Sequence, residues 1–287
     1  MKKNKLYMIL VLMFFSVLFI GNPHSVKAAN PQVVKLKTNK TYKKYDITGD
    51  RKNDTLKIKI SKHSTYGYYN SLAVVINGKT AYSFNNKYFY ANSPYNEVDI
   101  RLYTLKNGKP FLFLYAQAEN GDGPVCGVFQ YKSGKLKQII NFQTLFQGYG
   151  SHLSGDVISI NGNKITTEYY IMSYVLGPCS VKYNYTYKNG TLKRTSNVTK
   201  FDGIYSYGKD TRIFYANKKL TAYTATNAKT KAFTVKKGTA VQVDKCYCNG
   251  KSMLVRVKYK GKYGWIKAAK GYPGESNKQF SNVTYAG

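Results

Sequence analysis

The chain has 287 residues, of which 43% are hydrophobic and 15% aromatic; that is enough apolar material for cores in two ordinary domains, and it excludes a disordered chain. Lys and Arg number 45 against 13 Asp and Glu, a formal net charge of +32, and only five of the bases are Arg. Arg is the residue that reads bases and phosphates bidentately, so a Lys-dominated charge points to an anionic surface or polymer and away from specific nucleic-acid recognition.

The first segment carries a targeting pattern. Lys2, Lys3 and Lys5 precede an uncharged run from Leu6 to Ile20, and Val26-Lys27-Ala28 supplies a small-residue exit. This predicts a signal peptide over residues 1–28, with a mature start at Ala29. The run is short for a bilayer span of about 20 residues, and no second apolar run follows. The expected product is secreted, extracellular or cell-wall associated, without stable membrane insertion after cleavage.

Residues 30–203 are expected to form an antiparallel β-repeat domain, since helical periodicity is nearly absent while turn dipeptides recur. Asn77-Gly78, Asn107-Gly108, Ser133-Gly134, Asn161-Gly162 and Asn189-Gly190 are flanked by β-branched and aromatic runs, the strongest short-range hairpin signal. Five hairpins are predicted, spanning Leu72–Phe84, Val98–Ala118, Cys126–Phe142, Asp156–Met172 and Ser180–Ser196. A spacing near 28 residues suits either a meander or an incomplete propeller-like array; ordinary hairpins of one sandwich are the alternative.

Ahead of these hairpins, Asp46, Thr48, Asp50 and Asp54 place oxygen-bearing side chains at the first, third, fifth and ninth positions of a loop, with the Lys52 carbonyl between them. The run resembles the calcium loops of FG-GAP and VCBS-type extracellular β-repeats, and the resemblance implies a bound Ca²⁺. Thr48 replaces an acidic or amide ligand, and Arg51 stands where Gly normally permits the sharp turn. The other reading is a metal-free turn in which Arg51 or Lys52 takes the place of the cation.

The cysteines form two patterns. Cys126 and Cys179 begin strands of different hairpins, and export permits a disulfide between them. Cys246 and Cys248 lie two apart on one strand and are expected to face the core, because that spacing aims poorly for a bridge.

Positive charge is densest near the C-terminus: residues 29–203 carry 24 bases and 10 acids, and residues 204–287 carry 17 bases and 3 acids. Here Leu220–Tyr223, Phe233–Val243 and Met253–Ile266 supply three strand-like runs, with Lys236-Lys237-Gly238 turning the chain into Val241 and Val243, and Gly261 followed by Gly264-Trp265-Ile266. These runs resemble a bacterial SH3 domain. The expected fold class is therefore all-β, an antiparallel hairpin-repeat domain followed by a small SH3-like barrel over 204–275 and a C-terminal tail over 276–287. Lys260-Gly261-Lys262 is expected to close a hairpin, and Trp265 could plug the barrel.

Bacterial SH3 modules on exported proteins commonly bind the cell wall, and the resemblance implies that partner here, as peptidoglycan or a teichoic-type polyanion. Tyr223, Tyr247, Tyr259, Tyr263 and Trp265 would supply aromatic faces, and Lys236, Lys237, Lys258, Lys260 and Lys262 the positive charge. Alternating Lys and Tyr on a solvated strand face is the bland alternative.

Catalysis is not expected. Beyond the signal the chain has two histidines, His63 and His152, and no cysteine in a nucleophile motif. Ser206 and Lys209 match S-x-x-K in a Gly-rich stretch and not on a helix. Glu97 with Asp99, and Glu119 with Asp122, are the carboxylate pairs a wall-degrading enzyme would need. The remaining alternative is an adhesin or ligand-binding β-domain using loops at Gly67-Tyr68-Tyr69, Glu119–Pro124 and Gln147-Gly148-Tyr149-Gly150.

Overall fold

The computed structural model describes residues 32–62, 68–85, 87, 89–90, 98–116, 123–206, 209–274 and 276–285. The expected signal peptide over 1–28 lies outside the described residues. Among the described residues the fold is all-β, with 64% strand and 0% helix.

Strand β1 (Gln32–Lys35) precedes a meander of β2 (Thr41–Tyr45), β3 (Asp54–Lys62), β4 (Tyr68–Ile76) and β5 (Lys79–Phe84), with β6 (Phe89–Tyr90) on the end of β4. A second meander follows: β7 (Asp99–Thr104), β8 (Pro110–Ala116), β9 (Val125–Lys132) and β10 (Lys135–Asn141), with β1 added at the β7 edge. The third comprises β11 (Gly150–Asn161), β12 (Lys164–Ser173), β13 (Gly177–Lys188), a short β14 (Thr191–Arg194) and β15 (Val198–Ser206), with β16 (Lys209–Asp210) on the end of β15. All five predicted hairpins form. In the first, Leu72 and Phe84 are direct cross-strand partners, and in the third the Phe142 amide donates to the Cys126 carbonyl.

Turn chemistry explains the register. Asn77-Gly78, Ser133-Gly134 and Asn189-Gly190 have positive φ at both central residues, as a two-residue hairpin matching strand twist requires. At the other two dipeptides only the glycine is left-handed. There the connections are a five-residue loop between Thr104 and Pro110 and a Gly162-Asn163 turn.

The meanders stack face to face. One face of the second sheet gives Ile100, Leu102, Leu112, Leu114 and Phe129 to a core shared with the first meander. Its other face gives Tyr103, Phe111, Phe113, Cys126 and Val128 to a core shared with the third. Burial on both faces is why β8 reads Pro-Phe-Leu-Phe-Leu-Tyr-Ala with no polar alternation. The third sheet turns Ile165, Tyr169, Ile171 and Val181 into that core, and leaves its outer face to solvent.

The remaining strands are β17 (Ile213–Tyr215), β18 (Leu220–Tyr223), β19 (Lys231–Val235), β20 (Ala240–Cys248), β21 (Met253–Tyr259) and β22 (Lys262–Lys267), in the order β17-β20-β21-β22-β18-β19. As expected, Lys260 and Gly261 form the β21–β22 turn with positive φ, and Val241 and Val243 face inward. The barrel expected here is not closed: among the described residues the end strands β17 and β19 do not pair. The sheet is joined to the third meander instead, through β20, whose first half pairs with β17 and whose second half pairs with β15.

The expected boundary at 203/204 therefore falls within β15. Phe201–Ile204 of that strand pair with β13, while Val198–Lys200 pair with β20, and one hydrophobic core runs through both regions. Residues 276–285 are packed in as well. Phe280 is fully buried against Phe214, with centroids 5.4 Å apart; Ser281 donates to Tyr215 and the Tyr285 hydroxyl donates to the Tyr174 carbonyl.

Candidate functional site

Strand alternation builds one exposed face on the C-terminal sheet. Gly264 and Ile266 of β22 point inward, and a Cβ at Gly264 would lie 2.8 Å from the Ala222 Cβ and 2.9 Å from the Phe233 ring. That packed inner side leaves Tyr263, Trp265 and Lys267 outside. Trp265 is thus a half-buried surface residue and not a core plug.

Cross-strand pairing adds to the face. Lys258 lies opposite Tyr263, Arg256 opposite Trp265 and Leu254 opposite Lys267; Tyr223 of β18 lies on the other side of Trp265. From β20, Tyr247 pairs with Leu254 and Lys245 with Arg256. Leu254 is an apolar floor, 2% exposed, beneath these longer side chains.

The cations are positioned by the rings. The Arg256 guanidinium sits 4.5 Å from the Tyr263 centroid and donates from Nε to Asp244 at 2.9 Å, with a second contact from its terminal nitrogen. The hydrogen bond to Asp244 raises the Arg256 pKa. Lys258 Nζ is 5.7 Å from the Tyr263 centroid, and Lys267 Nζ is 5.3 Å from that of Tyr223, within the range of cation–π attraction. The result is a band of aromatic faces interleaved with cations on a rigid sheet.

No family model, curated protein or solved structure matches this chain.

Of the ten side chains expected to bind wall polymer, Tyr223, Tyr247, Tyr263, Trp265 and Lys258 share this face. Tyr259 turns to the core side, 5.9 Å from Phe233, with Lys260 over its ring at 5.5 Å. Lys262 pairs with Tyr259 at the hairpin end. Lys236 and Lys237 are exposed in the β19–β20 turn. Sequence reasoning missed Arg256 and Lys267, whose signal was the hairpin register set by Lys260-Gly261, and Lys245, which faces Arg256 through the β20–β21 register past a bulge.

The calcium-like loop is a self-capped turn. Among the described residues no three His, Cys, Asp or Glu side chains gather as a metal site, Asp46, Asp50 and Asp54 included. Their oxygens face backbone amides instead. Asp46 accepts from Gly49, Asp50 and Arg51 at 2.5, 3.2 and 2.8 Å, and Asp50 accepts from Lys52 at 2.8 Å. Asp54 accepts from Ile47 and Thr48 at 2.6 and 2.8 Å and from the Asn77 amide at 2.5 Å. Arg51 does take the left-handed conformation that the loop pattern requires, φ 72°. Its side chain lines a cleft of about 380 Å³ with Lys106 and Lys109, a setting that repels a cation. Thr48 and Lys52 serve the turn through their amides.

The Cys126–Cys179 disulfide is not formed. All four cysteines are buried free thiols, and Cys126 and Cys179 lie in different sheets. Cys126 Sγ donates to the Gly155 carbonyl at 3.3 Å. Burial pushes the Cys126 and Cys179 thiols up to about 12. Cys246 and Cys248 face the core, as expected.

The remaining expectations divide. His63, Glu97, Glu119 and Asp122 lie outside the described residues, as do the side chains of Ser206 and Lys209. Asp99 is paired with Arg101 at 3.0 Å. Of the proposed ligand loops, Gly67 and 119–122 are outside the described residues. Tyr149 is buried with its hydroxyl on the Lys251 carbonyl at 2.8 Å, so that loop is structural.

Proposed function

We propose that this is a secreted, non-catalytic cell-envelope protein whose outer face on β18, β20, β21 and β22 binds an anionic cell-wall polymer. The observation that supports it is the juxtaposition of Tyr223, Tyr263 and Trp265 with Lys245, Arg256, Lys258 and Lys267 on one rigid face. A polymer of sugars, peptides and phosphates offers apolar faces for the rings and negative charge for the cations. Lys predominates, which suits a partner recognised by charge density and not by base edges.

The test is sedimentation of the full mature chain with purified wall sacculi. Binding is expected at low salt and is expected to fall sharply at about 0.5 M salt, where screening shortens the Debye length to a few ångströms. Trp265→Ala is expected to weaken retention about tenfold, as loss of a central aromatic anchor does, and Lys258→Glu with Lys267→Glu to abolish it. Retention unchanged in these variants would reject this face as the wall contact.

A further inference from the structure

A second cleft, of about 290 Å³, opens on the outer face of the third meander, on the sheet region before β20. It is lined by His152, Glu168, Tyr170, Met172, Ser180 and Tyr205 among others, and carries no Lys or Arg.

Its shape follows from the sheet. Tyr170 of β12 and Gly203 of β15 flank Ser180 of β13 in one cross-strand row. A bulge at Asp202 turns Gly203 to the outer face, where Tyr205 follows it. A Cβ at Gly203 would stand 2.3–2.6 Å from the Tyr205 phenol, so only glycine leaves room for that ring in this position. The rings of Tyr170 and Tyr205, 44% and 43% exposed, form the two walls. Ser180 is the floor, and the residue as a whole is 4% exposed.

Two of the acids around the cleft are in ion pairs and the third is not. Lys182 binds Asp202 at 2.8 Å, Asp156 is paired with Arg101, and Glu168 keeps its charge while accepting from the Tyr170 hydroxyl at 3.2 Å. In a chain of +32 this is a recess with aromatic walls, no lining Lys or Arg, a serine floor and a carboxylate at the rim. We infer that it binds an uncharged pyranose unit of a glycan, its apolar ring face on Tyr170 or Tyr205 and its hydroxyls on Ser180 and Glu168. A polyanion finds no Lys or Arg in the lining, and an organic cation, unlike a neutral sugar, would be released by salt. The inference stands apart from the wall-polymer reading, which rests on the other region and on charge.

Isothermal titration of the full mature chain with two neutral probes, chitotetraose and cellotetraose, tests it. At least one is expected to bind at millimolar or lower concentration, with affinity unchanged within about twofold between about 0.1 and 0.5 M salt. Tyr205→Ala and Tyr170→Ala are each expected to weaken binding about tenfold, the scale of one aromatic contact, and Ser180→Ala severalfold. Tyr205→Phe, which keeps the stacking ring, is expected to bind within about threefold of wild type. Trp265→Ala is expected to leave sugar binding unchanged while weakening sacculus retention about tenfold. Failure of both sugars to bind, survival of binding in the Tyr170→Ala, Tyr205→Ala double variant, or loss of binding with salt would overturn the inference.

Discussion

Asp54 shows how much one side chain holds in this fold. It is 3% exposed and accepts hydrogen bonds from Ile47, Thr48 and Asn77, tying the 46–53 turn to the β4–β5 hairpin. Burial by itself raises its pKa, but the hydrogen bonds from Thr48, Asn77 and Ile47 outweigh this, and the group lies below its ordinary 3.8. A folded pKa below the unfolded one gives stability that is present above 3.8 and is lost as pH falls through the folded value. Asp54→Asn is therefore expected to cost about 1–3 kcal/mol near neutral pH and to flatten the acid limb of stability below 3.8. Urea denaturation across that range measures both. The sequence singled out Asp54 as a ligand of a calcium-like loop, and the structure turns its carboxylate to amides instead. Its partner, an amide from Asn77 in a different hairpin, depended on how β3 and β4 register.

At the scale of strands, close approach decides what the pattern leaves open. β11 is a long edge strand, yet its backbone is covered by side chains from the second meander. The Tyr103 hydroxyl and an Arg101 nitrogen donate to the Val157 carbonyl at 3.2 and 3.3 Å, and Cys126 Sγ donates to Gly155. Covering the carbonyls blunts an edge that could otherwise pair with another chain. Gly155 is where the layers come nearest: a Cβ there would stand 2.1 Å from the Phe142 ring and 2.5 Å from the Glu168 carbonyl oxygen. Because Phe142 is fully buried and cannot swing away, Gly155→Ala is expected to destabilise by at least about 1–3 kcal/mol, read as a lower thermal midpoint with unchanged far-ultraviolet dichroism. The alternation of β11 marked a strand; that Phe142 would press on it was invisible before the sheets were stacked.

For the whole molecule, β15 and the C-terminal segment make one body of what the composition divides in two. β15 changes partners midway, from β20 to β13, as strands do at the corner between packed sheets. Residues 276–285 then lace β17 to the β12–β13 turn through Phe280, Ser281 and Tyr285. Lys278 is held within this lacing, donating to the Val283 carbonyl at 3.1 Å and lying over Tyr285 at 4.8 Å. Removing residues 276–287 is expected to cost at least the about 3–5 kcal/mol of deleting one buried Phe, and to lower the denaturation midpoints of both regions together. Two separate transitions, one unaffected by the deletion, would show independent domains instead.

What the chain determines locally could be read without coordinates: Asn-Gly and Ser-Gly turns impose left-handed backbone, and apolar runs of strand length follow them, so the all-β class and the five hairpins were legible. Half of the cationic aromatic face was legible too, since alternation assigns Tyr263 and Trp265 to one side. Partners contributed by other strands were not: Arg256 reaches Tyr263 through a register, Tyr205 packs over Gly203 next to a bulge, and β20 adds β15 of the third meander to its edge. Those outcomes turn on which surfaces bury each other at long range. Single-strand patterns carry no term for that, because the same alternation is compatible with many stackings and only the packed cores select one.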